Sequence, residues 1–300
     1  MQTLLDQPDG DIGVPPGHAL RPPAIEPWSN RVLIHPAAEA LLAPAIAARI
    51  TPNMVTLAGL ALGLLAALAY TGWAEPLFAL LGFLLMLGWH VLDGLDGKLA
   101  RATGRASASG RLLDGVADHL VFVAVYAALA FSFQPPWAMV ALAFAAGGAH
   151  AVQAAFYEAK RETFIRRSAG QFVARTRSRA GGPFEAFYNS AERVLGNRTT
   201  ALDHLLAGLP AAERAAVLRR WEPQAARQLR LLAPLSANGR TLAIFLACLA
   251  GSPAWFWLWE LAALTLLALA GAAAATRLER RLLASASDAM PRPPKAMAEA

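Results

Sequence analysis

Charge is scarce in this sequence. Of 300 residues, 16% are Asp, Glu, Lys or Arg and 56% are hydrophobic, whereas a water-soluble domain carries about 25% charged residues. A globule of this composition lacks the polar groups to cover its surface, which argues against a soluble fold. Cysteine is nearly absent. Cys248, alone inside an apolar run, can build neither a disulfide scaffold nor a thiolate metal site within one chain. The first 30 residues contain prolines and acids but no basic stretch leading into an apolar one, so no cleavable signal peptide is expected. Aromatic residues are sparse between the basic ones, which disfavours nucleic acid as a partner.

Long apolar runs are what the chain has instead. A bilayer is crossed by about 20 mostly apolar residues. Six stretches qualify, at 54–73, 76–100, 111–132, 137–158, 240–252 and 254–275, the fifth being the shortest. The expected fold class is all-α integral membrane with six transmembrane helices. Lys and Arg are missing from the connections after spans one, three and five, at 70–76, 131–137 and 251–255. All 27 basic residues fall at the N-terminus, between spans two and three or at their facing ends, between four and five or at the first residue of five, or at the C-terminus. With six spans these places share one side. The positive-inside rule then makes both termini cytoplasmic, in a multi-pass protein of the inner membrane. Tyr70, Trp73, Trp137, Trp255, Trp257 and Trp259 are expected to form an aromatic belt at the opposite edge.

Residues 1–30 and 285–300 read as disordered cytoplasmic tails. Residues 31–158 hold a juxtamembrane amphipathic helix, at 31–49 along the inner surface, and spans one to four. Residues 159–239 form a basic cytoplasmic helical insertion with 14 of the 27 basic residues, and 240–284 hold spans five and six. The insertion's Arg166, Arg167, Arg175, Arg177 and Arg179 are expected to hold the anionic inner leaflet, at about 1 kcal/mol each. A sharper alternative has one or two of them binding a phosphate on a substrate.

The informative segment joins spans two and three. Asp93 and Asp96 are three apart on one helix, and Asp114 and Asp118 four apart on the next, so each pair shares a face. A short loop makes the two helices antiparallel neighbours, and the four carboxylates can converge at the cytoplasmic membrane edge. An Asp near a span's centre costs about 3 kcal/mol on insertion scales, so something must compensate. Hard divalent cations with oxygen ligands do so, and Mg²⁺ is often completed by substrate phosphates, which makes the cluster a phosphate-processing site. Gly94, Gly97, Gly110 and Gly115 beside the acids let a bulky ligand approach the backbone, and Lys98 and Arg101 could neutralise phosphate oxygens. The competing reading pairs the acids with Lys98, Arg101, Arg105 and Arg111 as an interfacial charge network. An EF-hand lacks support, because the acid spacing and terminal Glu are missing.

The run Asp93-x-x-Asp96-Gly97-x-x-Ala100-Arg101, eight residues, Gly110-x-x-x-Asp114-x-x-x-Asp118 resembles the signature of the CDP-alcohol phosphotransferases at every defined position. The resemblance covers roughly 31–158 and 240–280 and does not account for the insertion. It implies a six-span membrane enzyme, a homodimer, that moves a phosphatidyl or phosphoalcohol group from a CDP-activated donor to a hydroxyl and releases CMP. Carried over, Asp93, Asp96 and Asp114 would be the main ligands of a di-metal site, with Mg²⁺ or Mn²⁺. Asp118 would complete the site and act as general base, and Gly97, Ala100, Arg101 and Gly110 would line the CDP pocket. Thr51-Pro-Asn-Met-Val-Thr56 reads locally as a helix start, with Thr51 as N-cap and Pro52 in the first turn. Similar segments in the family border the nucleotide pocket, which makes Asn53 and Thr56 candidate CDP contacts.

The implied partners are a CDP-activated lipid, foremost CDP-diacylglycerol, a small polar alcohol or alcohol phosphate as acceptor, and membrane lipids. A CDP-amino-alcohol donor with diacylglycerol as acceptor uses the same motif. Two readings of another class are a divalent-cation transporter and an inactive membrane scaffold. The acids cluster on one side with no relay across the other spans, Glu75 and Glu260 being assigned to the far edge, which disfavours transport. His90 and His119 read as hydrogen-bonded interfacial residues rather than metal ligands, and His150 as structural. Glu158 is either a charged helix end or a group that reads the acceptor.

Overall fold

The computed structural model describes residues 23–173 and 199–289. Every regular element among them is helical. A π-helical turn (Asn30–Ile34) leads into α1 (His35–Ala47), followed by α2 (Pro52–Tyr70), α3 (Pro76–Ala102), α4 (Ala108–Phe131) and α5 (Trp137–Ser168). Two cap helices come next, α6 (Ala201–Gly208) and α7 (Ala211–Leu231), then α8 (Ala237–Leu249). A last rod joins α9 (Ala254–Trp259), a π-helical turn (Glu260–Leu264) and α10 (Thr265–Ala289).

Five helical rods, α2, α3, α4, α5 and the α9–α10 rod, are long and apolar enough to cross a membrane. They coincide with spans one to four and six of the sequence. The fifth expected span forms α8, an apolar helix of 13 residues. At 1.5 Å per residue it is about 20 Å long, short of a hydrocarbon layer of about 30 Å. The starts are fixed by local chemistry. The Thr51 hydroxyl accepts from Met54 N at 3.3 Å with Pro52 in the first turn of α2, and the Ser107 hydroxyl accepts from Gly110 N at 3.0 Å to open α4.

Small residues let the first three long helices close on one another. A Cβ on Gly63 of α2 would stand 2.3 Å from Val121 Cγ2 of α4, and one on Gly82 of α3 would stand 2.9 Å from the Tyr70 ring. That slot takes Tyr70 out of the expected aromatic belt and into the core, where it is fully buried. Trp257 is fully buried as well, packed beside Tyr126. Trp137 and Trp255 remain exposed, as a belt requires.

Three boundaries differ from those read in the sequence. Residues 23–30 were assigned to a tail, yet Ile25 is buried in the apolar cluster of the cap, Arg230 Nη1 donates to Ala24 O at 2.8 Å, and Asn238 Nδ2 donates to Ser29 Oγ at 2.9 Å. Helix α5 runs ten residues past 158, to Ser168, because its last turns bury Phe164 and Arg167 against the cap. At the other end α10 stays helical to Ala289. Residues 1–22 and 290–300 of the expected tails lie outside the described residues.

The cap is held by charge rather than lying on lipid. Arg167 donates through Nε to Asp203 Oδ1 at 2.9 Å and through Nη2 to Thr200 Oγ1 at 2.9 Å, and it pairs with Glu279 at 2.8 Å. Arg166 reaches Asp203 Oδ2 at 3.2 Å. Both arginines are buried, which corrects their expected place on the inner leaflet. Their partner Asp203 is fixed by a capping box with Thr200 at the start of α6. Burial pushes the Asp203 carboxyl up, but the hydrogen bonds from Arg167, Arg166 and the Thr200 N–H, with the Arg167 charge, outweigh it and hold it below the usual carboxylate range. Arg175, Arg177 and Arg179 lie outside the described residues.

A second polar knot sits inside the bundle. Glu260, assigned to the far edge, is fully buried. It accepts from Arg240 Nε of α8 at 2.7 Å and from the Tyr126 hydroxyl at 2.5 Å. Gln153 of α5 closes the group, its Oε1 accepting from Arg240 Nη2 at 2.9 Å and its Nε2 donating to Glu260 O at 3.0 Å. The π-helical turn that begins at Glu260 turns this carboxylate inward.

Candidate active site

The last turns of α3 and the first turns of α4 meet at one end of the bundle, joined by a loop of five residues, 103–107. The helical repeat points Asp93 and Asp96 of α3 at Asp114 and Asp118 of α4. One carboxylate oxygen from each of Asp93, Asp114 and Asp118 lies within 4.8 Å of the other two, and all three residues are half-buried. Opposite oxygens around a single Mg²⁺ or Ca²⁺ stand about 4–5 Å apart, so this triad can hold a metal ion. Asp96 stands deeper, at 5% exposure. Its Oδ2 accepts from Thr56 Oγ1 of α2 at 2.5 Å, a charge-assisted contact across 40 residues of sequence. The four acids line one narrow cleft, completed by Thr56, Gly59, Trp89 and Ala117.

The competing charge-network reading is supported only in part: the Arg101 charge acts on Asp96. Lys98 is taken by Glu39 of α1, and no ion pair among the described residues joins Asp96, Asp114 or Asp118 to Lys98, Arg105 or Arg111. That pairing holds Glu39 below its ordinary carboxylate range.

The neighbouring residues divide by location. Arg101 folds back over Gly97, where an added Cβ would stand 3.3 Å from its Nη1, so the glycine makes room for the guanidinium. Gly110 sits between Ser107 Oγ and Asn53 Oδ1, which brings the exposed Asn53 to the start of α4. Ala100 is half-buried one turn from Gly97. Gly115 faces open space, but Gly94 does not: its α-carbon packs on Ile34 and Ala38, so it serves the seat of α1 rather than a ligand. Thr56 is buried against Asp96, a role the sequence did not suggest for it.

The histidines make hydrogen-bond contacts. His90 is buried with Nε2 at 2.9 Å from Thr241 Oγ1, and His119 Nδ1 lies 2.6 Å from Gly115 O. His150 Nδ1 is 3.1 Å from the Tyr126 hydroxyl. Glu158 pairs with Arg161 of the next turn at 2.6 Å. Three lining residues, Gly59, Trp89 and Ala117, were not expected at the site from the sequence, where Gly59 reads as a helix-packing glycine. The signal was available: Trp89 precedes Asp93 by four residues and Gly59 follows Thr56 by three, so each shares its neighbour's helix face.

Known proteins share this part of the chain. The sequence model of the CDP-alcohol phosphatidyltransferases matches residues 49–178, which spans α2 to α5. A bifunctional IPC transferase and DIPP synthase of Aquifex aeolicus is 38% identical over 105 residues, 35% of this chain and 23% of the relative. A CDP-diacylglycerol–serine O-phosphatidyltransferase of Encephalitozoon cuniculi is 34% identical over 109 residues, 33% of this chain and 28% of the relative. An archaetidylinositol phosphate synthase of Pyrococcus horikoshii is 44% identical over 71 residues, 24% of this chain and 36% of the relative. The chain thus spans between 23% and 36% of the length of these three proteins. The family match, over 130 of the 300 residues, brackets all four carboxylates, so it is this stretch of the chain that is similar to the CDP-alcohol phosphatidyltransferases.

Proposed function

We propose that the protein transfers a phosphatidyl group from CDP-diacylglycerol to the hydroxyl of a small polar alcohol or alcohol phosphate and releases CMP. The observation that carries this reading is the convergence of Asp93, Asp114 and Asp118 within 4.8 Å beside the buried Asp96. Hard oxygen donors in that number suit Mg²⁺ or Mn²⁺. Asp93, Asp96, Asp114 and Asp118 would hold two such ions, which when bound supply positive charge against the diphosphate and the departing CMP.

The protein's own groups do the rest. The acceptor oxygen forms a bond to the lipid-side phosphorus, the bond from that phosphorus to the bridging oxygen breaks, and CMP leaves with that oxygen. The hydroxyl proton passes to the Asp118 carboxylate as general base. Arg101, folded over Gly97, faces phosphate oxygens, and Asn53 with Ala100 and Gly110 borders the nucleotide. Thr56 contributes by holding Asp96. The distribution of basic residues supports six crossings with α8 as the short fifth, both termini and the active site being on the cytoplasmic side of the inner membrane. Residues 31–158 and 240–284 then form the catalytic membrane unit and 159–239 a cap, in a protein that works as a homodimer.

The test uses purified protein in detergent–lipid micelles with CDP-diacylglycerol, Mg²⁺ or Mn²⁺ and a panel of acceptors, reading CMP and the lipid product. Acceptor-dependent CMP release is expected. Asp118→Asn should lower it by roughly two to four orders of magnitude while CDP-lipid binding persists. Near-wild-type turnover in that variant removes Asp118 as the base. CMP formed only from CDP-ethanolamine and diacylglycerol reverses donor and acceptor, and cation flux without CMP replaces the enzyme by a transporter.

A further inference from the structure

A second, shallow cleft opens between the inner end of α5, the cap helix α7 and α10. None of its lining comes from α2, α3 or α4, which supply the whole lining of the carboxylate cleft. Its depth follows from the helices. Counting about 20 residues of hydrocarbon from Trp137 on α5 and from Ala254 on the last rod ends the apolar crossing near residues 157 and 274. Gly271 lies just short of that boundary and Lys160 and Glu279 just beyond it. The cleft therefore sits where acyl chains give way to headgroups, at the end of the bundle that carries the carboxylates.

Its walls are apolar, from Leu229, Leu232 and Leu278, and its polar groups are unequally used. The Arg167 guanidinium is consumed by Asp203, Thr200 and Glu279 and stacks over Trp221 at 5.1 Å. Glu279, the one acid in the lining, is held by that arginine. Lys160 is left with its Nζ 5.6 Å over the Phe156 ring and no carboxylate in ion-pair range among the described residues. The Gln228 amide lines the same wall without a side-chain partner among them. Two residues with side-chain donors, Lys160 and Gln228, thus line the cleft. The surrounding stretch is basic too. Seven arginines (219, 220, 227, 230, 277, 280 and 281) stand against Glu222 and Glu279 over 219–230 and 277–281, a field that draws anions to the membrane surface.

We propose that this cleft is a binding site for an anionic membrane phospholipid. The phosphate meets Lys160 and Gln228, and the acyl chains run along the leucine wall into the bilayer. The site is separate from the proposed reaction, and its test reads binding rather than turnover.

The measurement is lipid retention by the full chain in mixed micelles, followed by native mass spectrometry with phosphatidylglycerol as probe. The intact protein should keep one phosphatidylglycerol in preference to phosphatidylcholine. Lys160→Ala should weaken that binding by roughly tenfold, the loss of one charge-assisted hydrogen bond, and Gln228→Leu by less. Lys160→Arg should restore it. Asp93→Asn in the carboxylate cleft and Arg227→Ala on the exposed face of α7 should leave it unchanged. Since Lys160 has no ion-pair partner among the described residues, its removal should not unfold the chain, and a thermal melt of each variant checks this. Equal retention by wild type and Lys160→Ala, or equal loss in Asp93→Asn, overturns the site. Displacement of the lipid by inorganic phosphate at equal concentration makes it a free-phosphate site and overturns the lipid assignment.

Discussion

Thr56→Val isolates one contact. Valine keeps the shape and β-branching of threonine and so the local helix, and removes only the hydroxyl that touches Asp96 Oδ2 at 2.5 Å. The same oxygen lies 3.2 Å from Pro52 O, a carbonyl that α2 already uses as a backbone acceptor, so its loss there matters little. A hydrogen bond to a charged group contributes about 1.5–3 kcal/mol, which is roughly a 10- to 150-fold change in an equilibrium constant. If that bond holds Asp96 in place for metal, the Mn²⁺ concentration for half-maximal CMP release should rise by a factor in that range. Activity at saturating metal should stay within a few-fold of wild type, and Thr56→Ser should behave as wild type. An unchanged metal requirement would refute the reasoning. An unchanged metal requirement with a raised KM for the CDP-lipid would show that Thr56 touches the nucleotide after all.

Gly63→Ala puts a methyl 2.3 Å from Val121 Cγ2 and should cost about 1–3 kcal/mol by overpacking, read as a lower melting temperature, with Val121→Ala restoring part of it. Asp203 carries a pH prediction. Its folded carboxyl titrates below its unfolded value, so the stability it contributes is fully present above about pH 4 and is lost as pH falls through the folded value. Hydrogen exchange in α6 should therefore quicken on acidification in wild type, and Asp203→Asn should be fast already at neutral pH. An exchange rate in wild type independent of pH after correction for intrinsic chemistry would count against it. Cysteines introduced at Thr71 and Ser168, with the buried Cys248 replaced by Ala, should label from opposite sides of the membrane, and labelling of both from one side would reject the proposed topology.

Much of the fold is legible from hydropathy because a bilayer converts apolar run length into a crossing. The carboxylate cluster is legible because 3.6-residue periodicity and a short loop fix which faces meet. What hydropathy reports is depth. It does not report direction around the helix axis, and the misplaced residues are those whose role depends on direction. Tyr70 and Trp257 have the depth of belt residues but face inward. Gly94 has the depth of the site but faces α1. The Thr56–Asp96 contact and the Arg167–Asp203 pair join residues 40 and 36 positions apart on different helices, and no local pattern in a single sequence links them.

The buried pair of Arg240 and Glu260 bears on how the protein is made. Each charge alone in hydrocarbon costs about 3 kcal/mol on insertion scales, and α8, with 13 residues, has little apolar length to offset it. The two residues are 20 positions apart, and α8 and the last rod are joined by residues 250–253. The last rod is long and apolar enough to cross by itself, but α8 is not. Entering together as a hairpin, they present a neutralised pair, and Tyr126 and Gln153 on helices synthesised earlier await it with the remaining hydrogen bonds. On the proposed six-span topology, the C-terminal hairpin would seat last, against a polar socket already built.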